Sequence, residues 1–477
     1  MVTTMRAIAV CAIGLEKVLA RDLAHLGFRE VGRSAGRVVF NVSTNALAED
    51  LTKANIGLRT ADRVLLVVGE FKAFDFDGFY QGIYSLPWEA FCAKDTRVLI
   101  ERARANGCKL HAQATLQSMA QKAIYAALME HFHVRNMPET GRMLEVRIYG
   151  DNDWWQIVID TSGEALSRRG YRRFTHEAPL KETIAASLLF LAGWSRSRPL
   201  IDPFCGSGTI PIEAALYACN AAPGLKRRFA FEDFPEMDQN KVEDMRLFFR
   251  QQVRRDIRTD IRASDLDTKA LELARRNATL AGISEFIKFF NADARELVPP
   301  EAAIRSAEVR GDMAQSGIVT AGAASPGAAS GPPAGTRGIM LANPPYGQRL
   351  ASPDEARALY RELSPMLKRY LDAGWECGFL SADKEFGEAI GVEPTSVRMI
   401  VSGQETIFFN WFSAGIAEAG GHAPRSSNEH RRSRAPISPN EHRSGRPSGS
   451  PQADPQRRPS GSPQEIRQGR APRSPSQ

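Results

Sequence analysis

Residues 342–347, which read ANPPYG, combine an amide, two prolines and an aromatic ring directly after the apolar run GIML (338–341). Two consecutive prolines end a strand and fix the backbone that follows, because proline lacks an N–H and its φ is restricted. The side-chain oxygen of Asn343 and the carbonyl of Pro344 would then each accept one N–H of an exocyclic purine amine, with Tyr346 stacked on the base. Held in this way, the amine presents its lone pair to an electrophilic methyl group. A proline-stiffened turn with a buried tyrosine is the alternative interpretation of this segment alone.

A glycine-rich turn, DPFCGSGT (202–209), lies between an apolar run and the helical segment TIPIEAALYACN. Glycines let backbone amides approach a ligand closely, and a helix N-terminus favours a carboxylate or phosphate. A NAD site is one interpretation, although GSGT lacks the G-x-G-x-x-G spacing, and a turn that only serves packing is another. Cys205 suggests a nucleophile, but its neighbours include no histidine that would activate it.

Acidic residues follow the next two predicted strands. The strand DIRASDLD (260–267) ends at Asp265, which we predict to accept both ribose hydroxyls of a nucleoside, and at Asp267, which we predict to cap the following helix. The strand FIKFFNAD (286–293) ends at Asp293, placed to accept a hydrogen bond from an adenine amine. With the glycine turn, these strand ends predict a nucleoside pocket.

These residues require a sheet that brings strand ends together. From about residue 181, strands alternate with helices in βαβ units, which predicts a mostly parallel sheet. The first 160 residues instead predict a smaller α+β region by their apolar spacing. In that region we predict strands at 6–12, 36–42, 64–73 and 97–105, helices at 15–27, 45–57 and 115–132, and a hairpin whose turn is 151–153.

The composition is that of a globular chain, with 43% hydrophobic and 25% charged residues. Its six cysteines form no C-x-x-C pair, and His131 and His133 are too far apart around a helix to share a metal, so we expect a reducing compartment and no metal site. The first residues do not form a convincing signal peptide, and no apolar run approaches the roughly 18 residues that span a bilayer. We therefore expect a soluble, cytoplasmic protein that does not contact a membrane.

Two segments have the composition of disorder. Residues 303–337 include a long stretch rich in Gly, Ala, Ser and Pro, and residues 417–477 are rich in Pro, Ser, Arg and Gln and repeat RPSGSPQ. Residues 421–477 carry eleven arginines and four acidic residues, which accounts for the whole net charge of +7. The remainder of the chain is formally neutral, so an RNA-binding surface there would have to be a local patch.

In this order, DPFCGSGT, SDLD, NAD and ANPPYG resemble the class I S-adenosylmethionine-dependent methyltransferases of the NPPY type. Four further segments are similar to the bacterial family that methylates the N2 amine of guanine in 23S ribosomal RNA. They are IVIDTSGEALSRRGYR (157–172), EAPLKETIAASLL (177–189), GTIPIEAA (208–215) and APGLKRRFAFEDF (222–234). The resemblance covers roughly residues 5–415.

The resemblance implies a Rossmann-like class I methyltransferase domain with a mostly parallel seven-stranded sheet, preceded by an α+β ferredoxin-like and THUMP region. The implied boundaries are a ferredoxin-like part at 1–45, a THUMP RNA-binding domain at 46–162, a linker at 163–180, a catalytic domain at 181–416 with an insertion at 303–337, and a tail at 417–477. It also implies S-adenosyl-L-methionine as cofactor and 23S ribosomal RNA, met during subunit assembly, as the partner of a monomer.

The same resemblance assigns roles to individual residues. Cofactor contacts are implied at Pro179, Lys181, Asp202, Phe204, Gly206, Ser207, Gly208, Asp265 and Asp293. Contacts to the target base are implied at Asn343, Pro344, Pro345 and Tyr346. A basic run with one aromatic residue is predicted to face RNA, a solvated linker being the alternative, and comprises Arg168, Arg169, Tyr171, Arg172 and Arg173.

Several other functions remain open at the level of the sequence. A guanine in tRNA is one alternative substrate, since THUMP domains also serve tRNA enzymes. DNA adenine and protein glutamine carry amines that need the same acceptors, although the N-terminal RNA-binding pattern argues against both. An RNA-binding protein with a secondary methyltransferase fold is the alternative from a different class, and the intact motifs argue against it.

Overall fold

The structure is a computed structural model that describes residues 4–172, 179–300, 337–345, 353–401 and 403–411. The described residues belong to one compact unit, Met1–Ala423. Most of the predicted insertion and the whole predicted tail lie outside the described residues, as do Arg173 and Tyr346. No helix of the described part is long and apolar enough to cross a membrane.

The N-terminal half is a seven-stranded sheet with four α-helices. The strands are β1 (Thr4–Val10), β2 (Glu30–Ser34), β3 (Arg37–Ser43), β4 (Arg63–Lys72), β5 (Arg97–Asn106), β6 (Met143–Asp151) and β7 (Trp154–Asp160), and the helices are α1 (Glu16–His25), α2 (Leu47–Gly57), α3 (Phe76–Tyr84) and α4 (Gln113–His131). The strand order is β2-β3-β1-β4-β7-β6-β5, and only β5 and β6 are parallel neighbours. The predicted ferredoxin-like and THUMP parts therefore contribute strands to a single sheet.

Apolar periodicity explains these elements. In β3, Val38, Phe40 and Val42 are buried and alternate with more exposed residues, which is the pattern of a strand with one face on a core. In α4, the buried residues recur at helical spacing along one face and are Leu116, Ala120, Ala123, Ile124 and Leu128. The helices therefore pack on the sheet through one apolar stripe each.

The C-terminal half is a second seven-stranded sheet. Its strands are β8 (Leu200–Asp202), β9 (Ile261–Asp265), β10 (Ile287–Asn291), β11 (Ile339–Ala342), β12 (Glu376–Ser381), β13 (Thr395–Val401) and β14 (Gln404–Trp411), and its helices are α5 (Glu182–Leu191), α6 (Thr209–Ala218), α7 (Gln239–Gln251), α8 (Thr268–Ala281), α9 (Pro353–Asp372) and α10 (Phe386–Ile390). The order is β10-β9-β8-β11-β12-β14-β13, with β14 antiparallel to β12 and β13 and the other neighbours parallel. All residues of β11 and β12 are buried, as expected for central strands covered on both faces.

The two halves share one continuous hydrophobic core. A single cluster of buried side chains runs from Val38 and Leu51 of the N-terminal half to Leu188, Phe229 and Phe408 of the C-terminal half. The halves are thus packed together by apolar burial, which is the largest favourable contribution to folding.

Backbone hydrogen bonds also cross this joint, mainly from the segment between α6 and β9. The amide of Gly224 donates to the carbonyl of Ile56 at 2.9 Å, and the amide of Phe231 donates to the carbonyl of Thr161 at 3.1 Å. A Cβ added at Gly224 would lie 2.7 Å from the Cα of Ile56, so only glycine allows this approach. The motif at 222–234 therefore fixes the position of the N-terminal half.

The sequence predicted most elements but missed β2, α3, α5, α7 and α10. Helix α5 has no polar face to reveal its period, because eight of its ten residues, from Glu182 to Leu189, are buried. The apolar run before the glycine turn forms a short strand that ends at Asp202, because Pro203 cannot continue the ladder.

Candidate active site

Four parallel strands end at the same edge of the second sheet and bring the predicted site residues together. Strands β8 and β9 end at Asp202 and Asp265, β10 ends at Asn291, and Asn343 directly follows β11. Asn291 is the register partner of Asp265. Ligands of open α/β sheets bind at this carboxyl edge, so the topology places the glycine turn, the acids and Asn343 around one crevice.

Asp202 supports the glycine turn from below. Its Oδ1 accepts a hydrogen bond from the backbone N–H of Phe204 at 3.1 Å. Burial raises the pKa of Asp202 well above its ordinary value, against the effect of the Phe204 amide. Its position is that expected from the resemblance, beneath the turn and out of solvent.

The two glycines of the turn have different roles. Gly206 has φ +52°, and a Cβ added there would meet no heavy atom within 4 Å, so the space beside its backbone is open. Gly208 has φ +85°, and a Cβ there would lie 3.0 Å from the Cβ of Ala274. The packing interpretation of the turn therefore holds for Gly208, whereas packing does not require a glycine at 206 and its positive φ does.

The two acids at and just after the end of β9, Asp265 and Asp267, have different roles. Asp265 accepts hydrogen bonds from the amides of Gly206 at 2.8 Å and Asp267 at 3.0 Å, which fixes its carboxylate beside the glycine turn. The prediction that Asp267 caps the next helix is confirmed, since its side chain accepts from the amide of Lys269 at the N-terminus of α8. Leu266, between them, is 67% exposed, which is unusual for a large apolar residue and carries no signal in the sequence pattern.

Asp293 lies at the same edge but is engaged by a neighbour. Its carboxylate accepts hydrogen bonds from the Arg295 guanidinium at 2.9 Å and 3.0 Å, and these lower the pKa of Asp293 below its ordinary value. The same guanidinium contacts Glu362 at 2.6 Å. The predicted hydrogen bond from Asp293 to an adenine amine stays a prediction, and it would have to be made beside this ion pair.

Asn343 presents an acceptor that lacks a partner. Its Oδ1 is buried and has no hydrogen-bond partner in the structure of the described residues. Leaving such an oxygen unpaired costs about 1–3 kcal/mol, so this position favours a ligand that donates a hydrogen bond to it. The next segment is fixed from the protein side, because the hydroxyl of Tyr360 donates to the carbonyl of Pro345 at 3.3 Å.

Cys205 is not placed to act as a nucleophile. Burial, with the negative charges of Asp202 and Asp265, raises the pKa of its thiol well above the ordinary value. The thiolate form that attacks electrophiles is therefore suppressed.

The predicted closing segment before the second sheet lies next to the glycine turn. Leu180, between Pro179 and Lys181, has a carbonyl 2.8 Å from Nη2 of Arg172, and the same nitrogen donates to Oγ1 of Thr209 at 2.8 Å. Lys181 is half-exposed and its Nζ lies 3.9 Å from Asp62. The structure thus links residues 179–181 through Arg172 to the N-terminus of α6, and the cofactor contacts of Pro179 and Lys181 stay predictions.

The predicted RNA-facing strip is corrected by the structure. Arg169 and Tyr171 are buried, and both contact Glu213 of α6, at 3.4 Å and 3.0 Å. Burial and the Glu213 carboxylate raise the pKa of Tyr171 well above its ordinary value. Arg172 is also turned inward, whereas Arg168 is 75% exposed and pairs with Glu164. The strip is mainly part of the joint between the halves, and the sequence missed Glu213, which lies 42 residues beyond Tyr171.

Within the described part of the chain, no group of three or more His, Cys, Asp or Glu side chains is arranged to hold a metal ion. The polar groups at the crevice are instead backbone amides, which donate hydrogen bonds, and carboxylates and one amide oxygen, which accept them. This set fits a nucleoside cofactor and a ligand that carries an amine.

The strand order and the acid-tipped edge are those of the class I methyltransferases. The chain belongs to the RMKL-like methyltransferase family. The family's methyltransferase domain matches residues 169–308 and 328–405, and the RlmL ferredoxin-like domain matches residues 6–65.

Curated relatives include a candidate RNA methyltransferase of Bacillus subtilis (strain 168), YpsC. It is 31% identical over 409 residues, which cover 85% of this chain and 95% of the relative. The ribosomal RNA large subunit methyltransferase K/L of Psychromonas ingrahamii is 31% identical over 405 residues, 84% of this chain and 48% of the relative. The chain therefore spans about half the length of the K/L relatives.

Solved structures agree with this membership. SMU.472, a candidate methyltransferase in complex with SAH, has a TM-score of 0.71 and 30% identity over 86% of this chain and 99% of its own. A predicted N6-adenine-specific DNA methylase from Listeria monocytogenes str. 4b F2365 has a TM-score of 0.72 and 30% identity over 86% and 96%.

Proposed function

We propose that this protein transfers a methyl group from S-adenosyl-L-methionine to the exocyclic N2 amine of a guanine in 23S ribosomal RNA. The observation that carries the proposal is the buried Oδ1 of Asn343, which has no hydrogen-bond partner among the described residues and lies at the edge where the glycine turn and Asp265 also lie. Crevices of this kind take a nucleoside cofactor, and the orphan oxygen takes the amine of the acceptor base.

The cofactor would supply an electrophilic methyl group on a sulfonium sulfur. Gly206 would offer open backbone to it, Asp265 would accept the ribose hydroxyls, and Asp202 would hold the turn in place. Pro179, Lys181, Phe204 and Ser207 would line the remainder of this site, as the resemblance implies.

Residues 343–346 would orient the acceptor amine. Asn343 Oδ1 and the Pro344 carbonyl would each accept one N–H, which directs the nitrogen lone pair at the methyl carbon. The C–N bond forms as the C–S bond breaks, and the amine loses its proton afterwards, so no strong base is required. Because the base must leave its helix at a cost of a few kcal/mol, unprotected RNA during subunit assembly is the favoured substrate.

The RNA assignment is supported by the names of relatives, YpsC as a candidate RNA methyltransferase and K/L as enzymes of large-subunit ribosomal RNA. Guanine N2 follows from the resemblance of the segments at 157–234. The proposal includes a THUMP domain at residues 46–162 that binds the RNA, and a monomeric, cytoplasmic enzyme.

Nucleoside mass spectrometry tests the substrate. We expect 23S rRNA from cells that lack the gene to have lost one N2-methylguanosine, and the purified protein to restore it with S-adenosyl-L-methionine. Loss from tRNA instead would move the substrate to tRNA. Methylation of adenine in DNA, the activity in the name of the Listeria neighbour, with both RNAs unchanged, would refute the proposal.

A pair of neighbouring acids tests the cofactor site. We expect Asp265→Ala to weaken binding of S-adenosylhomocysteine by about 10–100-fold, because it removes charge-assisted hydrogen bonds to the ribose. Asp267→Ala is the matched control, which should lose about 1 kcal/mol of stability with its helix cap and leave this affinity unchanged. Isothermal titration calorimetry measures both, and equal affinities for the two variants would contradict the role of Asp265.

A further inference from the structure

Arg172 is a buried cation at the junction of three segments. Its side chain is 10% exposed, and its Nη2 lies 2.8 Å from the Leu180 carbonyl, 2.8 Å from Thr209 Oγ1 and 3.4 Å from Glu182 Oε1. Burial raises the pKa of Glu182, and the Arg172 charge opposes that shift. A single guanidinium nitrogen therefore donates to a carbonyl and a hydroxyl from different parts of the chain and forms an ion pair with a nearby carboxylate.

Two of these partners belong to different segments beside the glycine turn. Leu180 lies in the segment 179–181 that precedes α5, and Thr209 is the first residue of α6, directly after Gly208 of the glycine turn. Hydrogen bonds between backbone amides and carbonyls close the turn itself, as from Gly208 to Cys205 at 2.7 Å. Between the two segments, Arg172 supplies a side-chain bridge.

The segment before α5 is also anchored from the N-terminal half. The hydroxyl of Thr183 donates to Asp62 Oδ1 at 2.6 Å, and Lys181 lies near the same carboxylate. Asp62 belongs to the connection between α2 and β4, and its own amide donates to the carbonyl of Val10 at 2.6 Å. Residues 180–183 are thus held on one side by Asp62 and on the other by Arg172.

We propose that Arg172 is a positioning residue of the cofactor site, which sets the distance between residues 179–181 and the glycine turn. The proposal rests on the cofactor assignment of the preceding section. Arg172 acts through Leu180 and Thr209, and its removal leaves the bond between Gly206 and Asp265 in place while residues 179–181 lose their tie to the start of α6.

Two substitutions separate this role from a purely structural one. Arg172→Lys keeps a positive charge for Glu182, but lysine is one bond shorter and its ammonium does not reach both Leu180 and Thr209. Thr209→Val removes only the hydroxyl and preserves the branched shape. We expect dissociation constants for S-adenosylhomocysteine to rise by about tenfold for Arg172→Lys and about three- to tenfold for Thr209→Val, as for the loss of one or two hydrogen bonds.

Matched controls lie on the same domain away from the crevice. Arg255→Lys alters an exposed arginine that also bonds a carbonyl, of Gly282, and a carboxylate, of Glu285. Thr279→Val removes a hydroxyl that bonds the carbonyl of Arg275 on α8. Both controls should keep the affinity of the wild-type protein. The double variant at 172 and 209 should weaken binding by less than the product of the single effects, because both remove the same bond.

The measurements are calorimetric binding of S-adenosylhomocysteine and thermal unfolding without ligand, on the full chain. Weaker binding at an unchanged unfolding temperature supports the proposal, as does a raised KM for the methyl donor with an unchanged KM for RNA. Wild-type affinity in Arg172→Lys and Thr209→Val overturns it, whether or not the unfolding temperature falls, and leaves the proposed function standing. A wild-type protein that binds no S-adenosylhomocysteine overturns both.

Discussion

Asn343→Ala should lower the rate of methyl transfer by about 10²–10³-fold and leave the affinity for S-adenosylhomocysteine unchanged. The magnitude is that of removing one preorganised polar group from a reacting centre. The reason is geometric, since the Asn343 Oδ1 is buried without a partner among the described residues and follows β11, whereas the residues proposed to hold the cofactor lie at the ends of β8 and β9. Single-turnover methyl transfer to 23S rRNA, measured beside calorimetric titration, separates the two effects.

Asn343→Asp is the matched variant, because it keeps an accepting oxygen at the same place. We expect it to retain much more activity than Asn343→Ala, since the N–H of the amine still has an acceptor. If Asn343→Ala lost cofactor binding and methyl transfer in equal measure, the residue would belong to the cofactor site and its role towards the base would be wrong.

Arg169→Ala should lower the free energy of unfolding by about 3–5 kcal/mol, the typical effect of breaking a buried ion pair by removing one partner. Arg169 contacts Glu213 with side-chain exposures of 2% and 0%, and it also donates to the carbonyls of Leu166 and Arg59. Its loss leaves Glu213 charged and underpaired, since Oε2 of that carboxylate already has no partner within the described residues. Urea unfolding followed by circular dichroism measures the change.

Two comparisons distinguish this role from contact with RNA. Arg168→Ala, one residue earlier, should change stability by less than about 1 kcal/mol, because its pair with Glu164 is exposed. The double variant Arg169→Met with Glu213→Leu should recover part of the lost stability, because it removes the buried ion pair as a whole, while the Tyr171 hydroxyl loses its acceptor. An Arg169→Ala protein of normal stability and weakened RNA affinity would restore the RNA-facing interpretation.

The placement of the candidate site residues at one sheet edge was predictable from the sequence, because it depends on local patterns. The glycine turn, the acid after β9 and the asparagine after β11 each follow a strand, and parallel strands place such residues at one edge. The capping role of Asp267 followed from its position before a helical segment and is confirmed.

The remainder depends on contacts between residues far apart in the chain. The sequence of a basic run such as 168–173 does not distinguish a run that faces solvent from one that contacts a buried carboxylate. Only the fold shows that Glu213 lies beside Arg169 and Tyr171. The partner-free state of the Asn343 oxygen is likewise a property of everything packed around it. Helix α5 was missed for a different reason, because the sequence of a helix buried on all sides does not alternate between an apolar and a polar face.

The shared core has a consequence for how this protein can change over evolutionary time. Because Ile56 bonds Gly224 and Thr161 bonds Phe231 across a continuous apolar interior, the N-terminal half is not an interchangeable cassette. An N-terminal half taken from a distant relative would have different residues at the contact with the C-terminal half, and these would not pack against the C-terminal half of this protein. Substitutions on one side of this contact are therefore expected to require compensating substitutions on the other side.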